Sequence, residues 1–209
     1  MAVLVEILRL FIHVPAIVVA FTLHGYARAV ASSALGDKYP KSHGRITLNP
    51  LRHFEPVGFL MLLFFGLGWG KPVETRPFAY KNRKTGALIV AILPLTVNLL
   101  LAAIFASIAH VMAATIAYPL MSGLSWQRFV YEIIVAGAFY NLSFALFNLI
   151  PIYPLDGARI LAVAKPRWSE RIVYNERIAQ TVLMLLLFFG VLNMIINPMS
   201  AGILGFLYV

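Results

Sequence analysis

The chain alternates long apolar runs with short polar and basic stretches. Four runs are long enough to cross a bilayer as helices, since about 20 apolar residues span its hydrocarbon core. They cover Ala2–Leu35, Ala87–Pro119, Phe129–Ile150 and Ile178–Ile196. Asn197-Pro198 follows the last run, and we expect the helix to end there because proline interrupts the helical hydrogen-bond ladder. The pattern predicts four membrane-spanning helices.

A fifth apolar run, Val57–Gly70, is too short to cross. Its 14 residues would extend about 21 Å as a helix, and three glycines crowd its end: Gly66, Gly68 and Gly70. Irregular backbone at membrane depth is tolerated only where protein or a water-filled cavity satisfies its polar groups. The run therefore predicts a re-entrant segment packed inside the bundle.

Composition agrees with this pattern. Hydrophobic residues make up 61% of the 209-residue chain, charged residues 12%, and the mean hydropathy is +0.84. These values exclude a soluble enzyme and predict an all-α integral membrane bundle, with residues 1–209 forming one polytopic domain. The absence of cysteine excludes disulfides, iron–sulfur clusters and cysteine-ligated zinc.

The net charge of +9 is concentrated in three loops. Fourteen of the 17 lysines and arginines lie within residues 36–55, 71–85 and 159–177. The positive-inside rule predicts that all three loops are cytoplasmic, which places both ends of Val57–Gly70 on one side and both chain termini outside. In a membrane protein such charge marks cytoplasmic loops and not a nucleic-acid site, and we expect lipid and membrane partners but no nucleic acid.

Polar residues interrupt the apolar runs. Those on the first helix fall within about 100° of arc: Glu6, Arg9, His13, His24 and Arg28. Ionisable groups at bilayer depth are functional candidates, although Glu6, Arg9 and His13 also fit a structural cluster. We expect His43 and His53 to be solvated in a basic loop, and His110 and Glu132 to be structural.

Three asparagines also lie within apolar runs: Asn98, Asn141 and Asn148. Asn141 and Asn148 are seven residues apart and share a helix face. Hydrogen bonds between helices would explain all three amides. The alternative is that they hold an extended peptide backbone in a cavity.

Four motifs occur in a characteristic order. They are Leu23-His24-Gly25-Tyr26-Ala27-Arg28; the segment from Gly44-Arg45-Ile46-Thr47-Leu48-Asn49-Pro50 to Glu55-Pro56-Val57-Gly58; Gly68-Trp69-Gly70-Lys71-Pro72-Val73; and Phe147-Asn148-Leu149-Ile150-Pro151, continuing to Pro154-Leu155-Asp156-Gly157. Together they resemble the compact bacterial branch of the site-2 protease family, peptidase family M50. The resemblance implies intramembrane proteolysis at a zinc site and a bacterial plasma membrane.

The resemblance also implies residue roles. An H-E-x-x-H helix and a later L-D-G motif would supply two histidines, a general base and an aspartate ligand. His24 and Asp156 stand at the first and third metal positions, Gly25 at the base position and Arg28 at the second-histidine position. The family further implies a membrane-associated β-hairpin over Gly44–Gly58 and a substrate-binding role for Asn98, Asn141 and Asn148.

Two of these positions depart from the pattern. Glycine has no proton acceptor, and the guanidinium of arginine is permanently charged and only donates hydrogen bonds. No intact catalytic residue set is left, and His24 and Asp156 are vestigial metal positions. We therefore expect no cofactor, and we predict an ion pair between Arg28 and Asp156 in the place of the metal.

Three functions follow as hypotheses. The first is a pseudoprotease that binds transmembrane segments or a membrane partner without cutting. The second is an active zinc metalloprotease that recruits His43 or His53 as a ligand and Glu55 as a base. The third is a small transporter or channel with a water-accessible path along Glu6, Arg9 and His13.

Overall fold

Helices form the framework of the chain. The structure is a computed structural model that describes residues 2–65, 67–115, 125–166 and 176–207, without the side chains of residues 2–12, 63, 176 and 206–207. These ranges contain eight α-helices and no β-strand. The helices are α1 (Ala2–Ala34), α2 (Tyr39–Ser42), α3 (Pro56–Phe65), α4 (Arg83–Thr115), α5 (Trp126–Asn148), α6 (Asp156–Ala164), α7 (Glu176–Phe188) and α8 (Val191–Leu207).

Three long helices form the centre of the bundle. Helices α1, α4 and α5 pack against one another in all three pairings. Small residues let α4 and α5 approach closely: Ala102, Ala106 and Ala109 are buried on α4, and a methyl group added at Gly137 on α5 would lie 3.0 Å from the ring of Phe105. Such close packing holds helices together in lipid.

The expected membrane crossings are present. His13–Ala34, Arg83–Thr115 and Trp126–Asn148 are each long and apolar enough to span a bilayer. Arg177–Phe188 and Val191–Gly205 qualify together as a fourth crossing if the pair, bent by 67°, is one span. The prediction of an all-α integral membrane bundle is confirmed.

The break in the last span lies elsewhere than predicted. Helix α7 ends before Gly190, whose φ of +70° is a left-handed conformation that favours glycine. Helix α8 then continues through Pro198, so the predicted end at Asn197-Pro198 is wrong. Proline removes one backbone hydrogen bond from a helix, and membrane helices tolerate that loss where neighbouring groups compensate for it.

The short apolar run turns back on itself. Helix α3 and the segment after it form two adjacent arms, and the Lys71 amide at the end of the second arm donates a hydrogen bond to the His53 carbonyl at 2.7 Å. The two arms touch through glycine: an added methyl at Gly68 would lie 2.0 Å from the Gly58 carbonyl oxygen. This arrangement matches the predicted re-entrant segment.

Gly68→Ala is expected to lower the stability of the re-entrant segment. The methyl group would meet backbone at 2.0 Å, and overpacking of this kind costs about 1–3 kcal/mol. Gly202→Ala on α8 is the matched control, because no atom lies within 4 Å of the added methyl. Thermal unfolding in detergent should show a lower Tm for Gly68→Ala alone; an equal Tm for both variants would contradict the packing.

The predicted β-hairpin over Gly44–Gly58 is wrong. Within this described stretch the chain forms a 3-10 turn at Pro50–Arg52, and the Asn49 side chain accepts a hydrogen bond from the Leu51 amide at 3.0 Å. Proline has no amide hydrogen to give a β-ladder. Arg45 fixes the loop instead, because its guanidinium donates to the carbonyls of Arg52 and Lys71.

Candidate functional site

Three ionisable side chains meet between α1 and α6. His24 and Arg28 lie one turn apart on α1 and are 6% and 4% exposed, and Asp156 is fully buried at the start of α6. Residues four apart share a helix face, so both α1 side chains point toward the same carboxylate. The structure therefore brings together the three residues named from the sequence.

Gly157 explains how Asp156 reaches this position. A methyl group added at Gly157 would lie 2.1 Å from the Leu149 carbonyl oxygen and 2.5 Å from that of Ile150. Only glycine lets the first turn of α6 pack so closely on the end of α5. The Leu-Asp-Gly motif thus holds its aspartate against α1 by backbone packing.

The guanidinium of Arg28 contacts both neighbours. Its Nη2 donates to Asp156 Oδ1 and lies 3.2 Å from His24 Nε2. His24 Nε2 is 2.9 Å from Asp156 Oδ2, although Oδ2 accepts no hydrogen bond of good geometry. Arg159 adds a second cation, with Nε 4.0 Å from Asp156 Oδ1. Asp156 therefore has a paired charge at a fully buried position, as such groups require.

Asn98 sets the orientation of the His24 ring. Its amide nitrogen donates to the Ala20 carbonyl at 3.1 Å and to Asn141 Oδ1 at 3.0 Å, so its oxygen faces His24 Nδ1 at 2.7 Å and accepts the hydrogen of that nitrogen. His24 Nε2 then presents a lone pair to Arg28. A fixed Nδ1–H is the arrangement that positions histidine ligands in metal sites.

The three asparagines differ in what they could offer a substrate. Asn98 and Asn141 are fully buried and bonded to protein groups, and both lie in the network that supports the His24 ring. Asn148 lines the cavity beside Arg28, and its amide nitrogen donates to the Phe144 carbonyl at 2.9 Å. The substrate-binding role stays a prediction for all three, and Asn148 is placed best to meet a ligand.

Asn98→Leu is expected to destabilise the protein more than Asn148→Leu. Loss of the Asn98 amide leaves the buried His24 Nδ1 and Asn141 Oδ1 without a partner, at about 1–3 kcal/mol for each group. Within the described part of the chain Asn148 makes only a local bond to its own helix, so its loss should cost under about 1 kcal/mol. Thermal unfolding compares the stability of these two isosteric variants. Equal losses of stability would show that Asn98 does not support the His24 ring.

His53 occupies the space beside Gly25. The prediction that His53 is solvated is wrong, because its side chain is buried, and Nε2 donates to the Thr47 carbonyl at 2.9 Å. Burial lowers the pKa of His53 below its ordinary value, although the hydrogen bond to the Thr47 carbonyl opposes this shift. An added methyl at Gly25 would lie 2.4 Å from His53 Nδ1. The His53 ring therefore fills the space that a side chain at Gly25, the general-base position of the family, would occupy.

The other residues named from the sequence lie away from the cluster. His43 is exposed and stacks on Tyr39, with ring centroids 3.8 Å apart. Glu55 accepts a hydrogen bond from the Gly58 amide. His110 is exposed and Glu132 pairs with Arg128 at 3.5 Å; the structural role stays a prediction for both.

The polar stripe of α1 is only partly described. His13 Nδ1 lies 2.9 Å from the Tyr140 hydroxyl, which joins α1 to α5. The side chains of Glu6 and Arg9 lie outside the described residues. His13 thereby adds an interhelical contact to those that His24 and Arg28 make.

The described residues do not assemble a ligand set for zinc. Zinc takes nitrogen or oxygen ligands at about 2.0–2.2 Å and needs at least three from the protein. No group of three His, Cys, Asp or Glu side chains in the described residues could hold a metal. Arg28 Nη2 instead lies within contact of the two candidate donor groups, on His24 and Asp156. A guanidinium there repels a dication.

A small cavity adjoins the cluster. It measures about 30 Å³. Its lining comprises Phe21, His24, Gly25, Arg28, Trp69, Gly70, Lys71, Pro72, Val73, Phe144, Asn148, Pro154 and Leu155. Sequence reasoning assigned no role to Trp69 or Lys71. Their position in the Gly68–Val73 motif was the signal that could have identified them.

Comparisons with known proteins give the family. The model of Peptidase family M50 matches residues 7–193. A Bacillus subtilis (strain 168) protein named "Putative zinc metalloprotease YwhC" is 32% identical over 145 residues, which cover 69% of this chain and 65% of that relative's length. No solved structure matches the chain. The predicted resemblance is confirmed: this chain belongs to peptidase family M50, the site-2 protease family, and is an integral membrane protein.

Proposed function

We propose that this chain is a non-cleaving M50 protein that binds transmembrane segments or another membrane partner. The observation that carries the proposal is the position of Arg28, whose Nη2 contacts both His24 and Asp156. The guanidinium replaces the charge that a metal would supply to the carboxylate. Hydrolysis by the family mechanism needs a metal-activated water, and nothing in this cluster activates one.

The environment of Gly25 supports the same proposal. A general base must lie within hydrogen-bond reach of the water that it deprotonates. Gly25 has no side chain, and the adjacent His53 uses Nε2 to bond Thr47 while Nδ1 abuts the Gly25 backbone. The position that the family gives to a base is thus filled by a packed ring.

The replacement-ligand hypothesis gains no support from the site. Neither His43 nor His53 joins His24 and Asp156 in a group that could hold a metal. Glu55 is engaged with the Gly58 amide at the start of α3. A transport path along α1 likewise has no specific observation in its favour, since only His13 of that set is described beyond the backbone.

A binding role uses the scaffold that is retained. Asn98 still orients His24, Gly157 still positions Asp156, and the re-entrant segment closes one side of the cavity through Trp69 and Gly70. These features support a defined recess for part of a partner. The charge pattern supports a cytoplasmic position for residues 36–55, 71–85 and 159–177, and the family resemblance supports a bacterial plasma membrane.

A reconstituted binding assay tests the proposal. The protein carries a photo-crosslinking amino acid at Pro72, which lines the cavity, and is reconstituted with a panel of tagged single-span helices. We expect light-dependent adducts in which the helix keeps its full mass. The same probe at Leu100, 59% exposed on α4, is the control and should give few adducts. Helix fragments that a chelator abolishes would contradict a non-cleaving role.

A further inference from the structure

Two hydrogen-bond donors at the cavity are unused. Arg28 Nε and Trp69 Nε1 are buried and have no partner within the described residues, and both residues line the cavity. Each side chain is over nine-tenths buried. A buried donor left unsatisfied costs about 1–3 kcal/mol, so this pair indicates a ligand that accepts hydrogen bonds.

The charge around the cavity favours an anion. The charged residues in its lining are Arg28 and Lys71, both cationic. Asp156 is not among its lining residues, and its carboxylate pairs with Arg28 Nη2. The side chains that line the cavity therefore carry two positive charges and no negative charge.

The volume limits the ligand to a small group. A water needs about 10–15 Å³ of such space, so the cavity of about 30 Å³ holds roughly two water-sized atoms. A carboxylate presents two oxygens at that size, and arginine is the side chain that best matches its geometry. A halide ion would fill only one of these two atomic positions and would accept a hydrogen bond from only one of the two donors.

We propose that this cavity binds one carboxylate group, which accepts hydrogen bonds from Arg28 Nε and Trp69 Nε1 and lies beside Lys71. The proposal rests on the proposed function, since it requires Arg28 in place of a metal. The carboxylate belongs either to a small free acid or to the end of a peptide chain. Both sources share the chemistry that the donors recognise.

The emission of Trp69 provides the test. The sequence has three tryptophans, so the variant Trp126→Phe/Trp168→Phe leaves Trp69 as the only one. Sodium acetate replaces sodium chloride at constant ionic strength, and neutral acetamide is titrated separately. We expect a saturable change in Trp69 emission with acetate and none with acetamide. No change with acetate, or an equal change with acetamide, would overturn the proposal.

Matched charge variants locate the site without altering the buried cluster. Lys71→Gln in the same background should weaken acetate binding about fivefold, the effect of one charge at partial exposure. Lys41→Gln, an exposed cation in a different loop, should leave the affinity unchanged. Equal affinities for the two variants would place the acetate elsewhere and overturn the assignment.

Competition by peptides distinguishes the two sources of the carboxylate. If the cavity binds chain ends, an acetyl-capped apolar tripeptide with a free carboxyl terminus should compete with acetate, whereas the same tripeptide with an amidated terminus should not. If neither tripeptide competes, the ligand is a small free acid. Competition by the amide would overturn the carboxylate assignment. Zinc analysis of the same sample separates the two proposals: zinc would contradict the proposed function, while zinc-free protein without an acetate response contradicts this inference alone.

Discussion

Arg28→Ala is expected to destabilise the protein by about 3–5 kcal/mol, because it leaves the buried Asp156 carboxylate without its main partner. Asp156 is fully buried, and the remaining cation, Arg159, lies 4.0 Å from Oδ1. Removing both charges relieves the penalty, since a buried ion pair contributes little net stability over neutral groups. Arg28→Ala/Asp156→Asn should therefore be more stable than Arg28→Ala.

A double-mutant cycle in detergent measures this coupling. The free energies of unfolding of the single and double variants isolate the pairwise interaction when each change removes only that contact. Arg128→Ala is the control, because its pair with Glu132 is about half exposed at 3.5 Å and such pairs contribute about 0–1 kcal/mol. Additive effects of the Arg28 and Asp156 changes would refute the pairing.

Gly25→Ala is expected to be strongly destabilising, and His53→Ala is expected to rescue it. The added methyl lies 2.4 Å from His53 Nδ1, and the ring cannot withdraw without breaking its bond to Thr47. Overpacking costs about 1–3 kcal/mol. Thermal unfolding of Gly25→Ala, His53→Ala and the double variant should show a smaller loss for the double variant than the sum of the singles.

The same steric coupling governs any attempt to restore the family motif. Gly25→Glu/Arg28→His rebuilds H-E-x-x-H in sequence but places the glutamate against His53. Adding His53→Ala makes room, and this triple variant is expected to bind about one zinc ion per chain, since His24, Asp156 and the imidazole introduced by Arg28→His then supply three ligands. Elemental analysis compares the zinc content of the double variant with that of the triple variant. Equal zinc content and stability with and without His53 would show that the ring imposes no restriction.

The sequence predicted the helical framework because a helix that crosses a bilayer requires an apolar run of sufficient length, and that length can be read directly from the sequence. It misplaced the break in the last span, since Pro198 is a stronger local signal than Gly190, and a membrane helix absorbs a proline. It also missed the irregular course of Gly44–Gly58. Asn49 and Pro50 signal a turn there, and the family resemblance pointed instead to a hairpin.

The sequence was enough to predict which residues form the site, but not the contacts that they make. The spacing of four residues places His24 and Arg28 on one face, and the Leu-Asp-Gly motif identifies Asp156. The burial of His53 was not predictable from a basic loop, because it depends on the space that Gly25 leaves on another element. The supporting role of Asn98 likewise depends on which groups lie opposite it in three dimensions.

The proposed function requires that Arg28 exclude a metal from His24 and Asp156. Its most direct test is the zinc content of the wild-type protein, purified in detergent without chelators or added metal and measured by elemental mass spectrometry against protein concentration. We expect far less than one zinc ion per chain, unchanged by His24→Ala. About one zinc ion per chain, lost in His24→Ala, would contradict it.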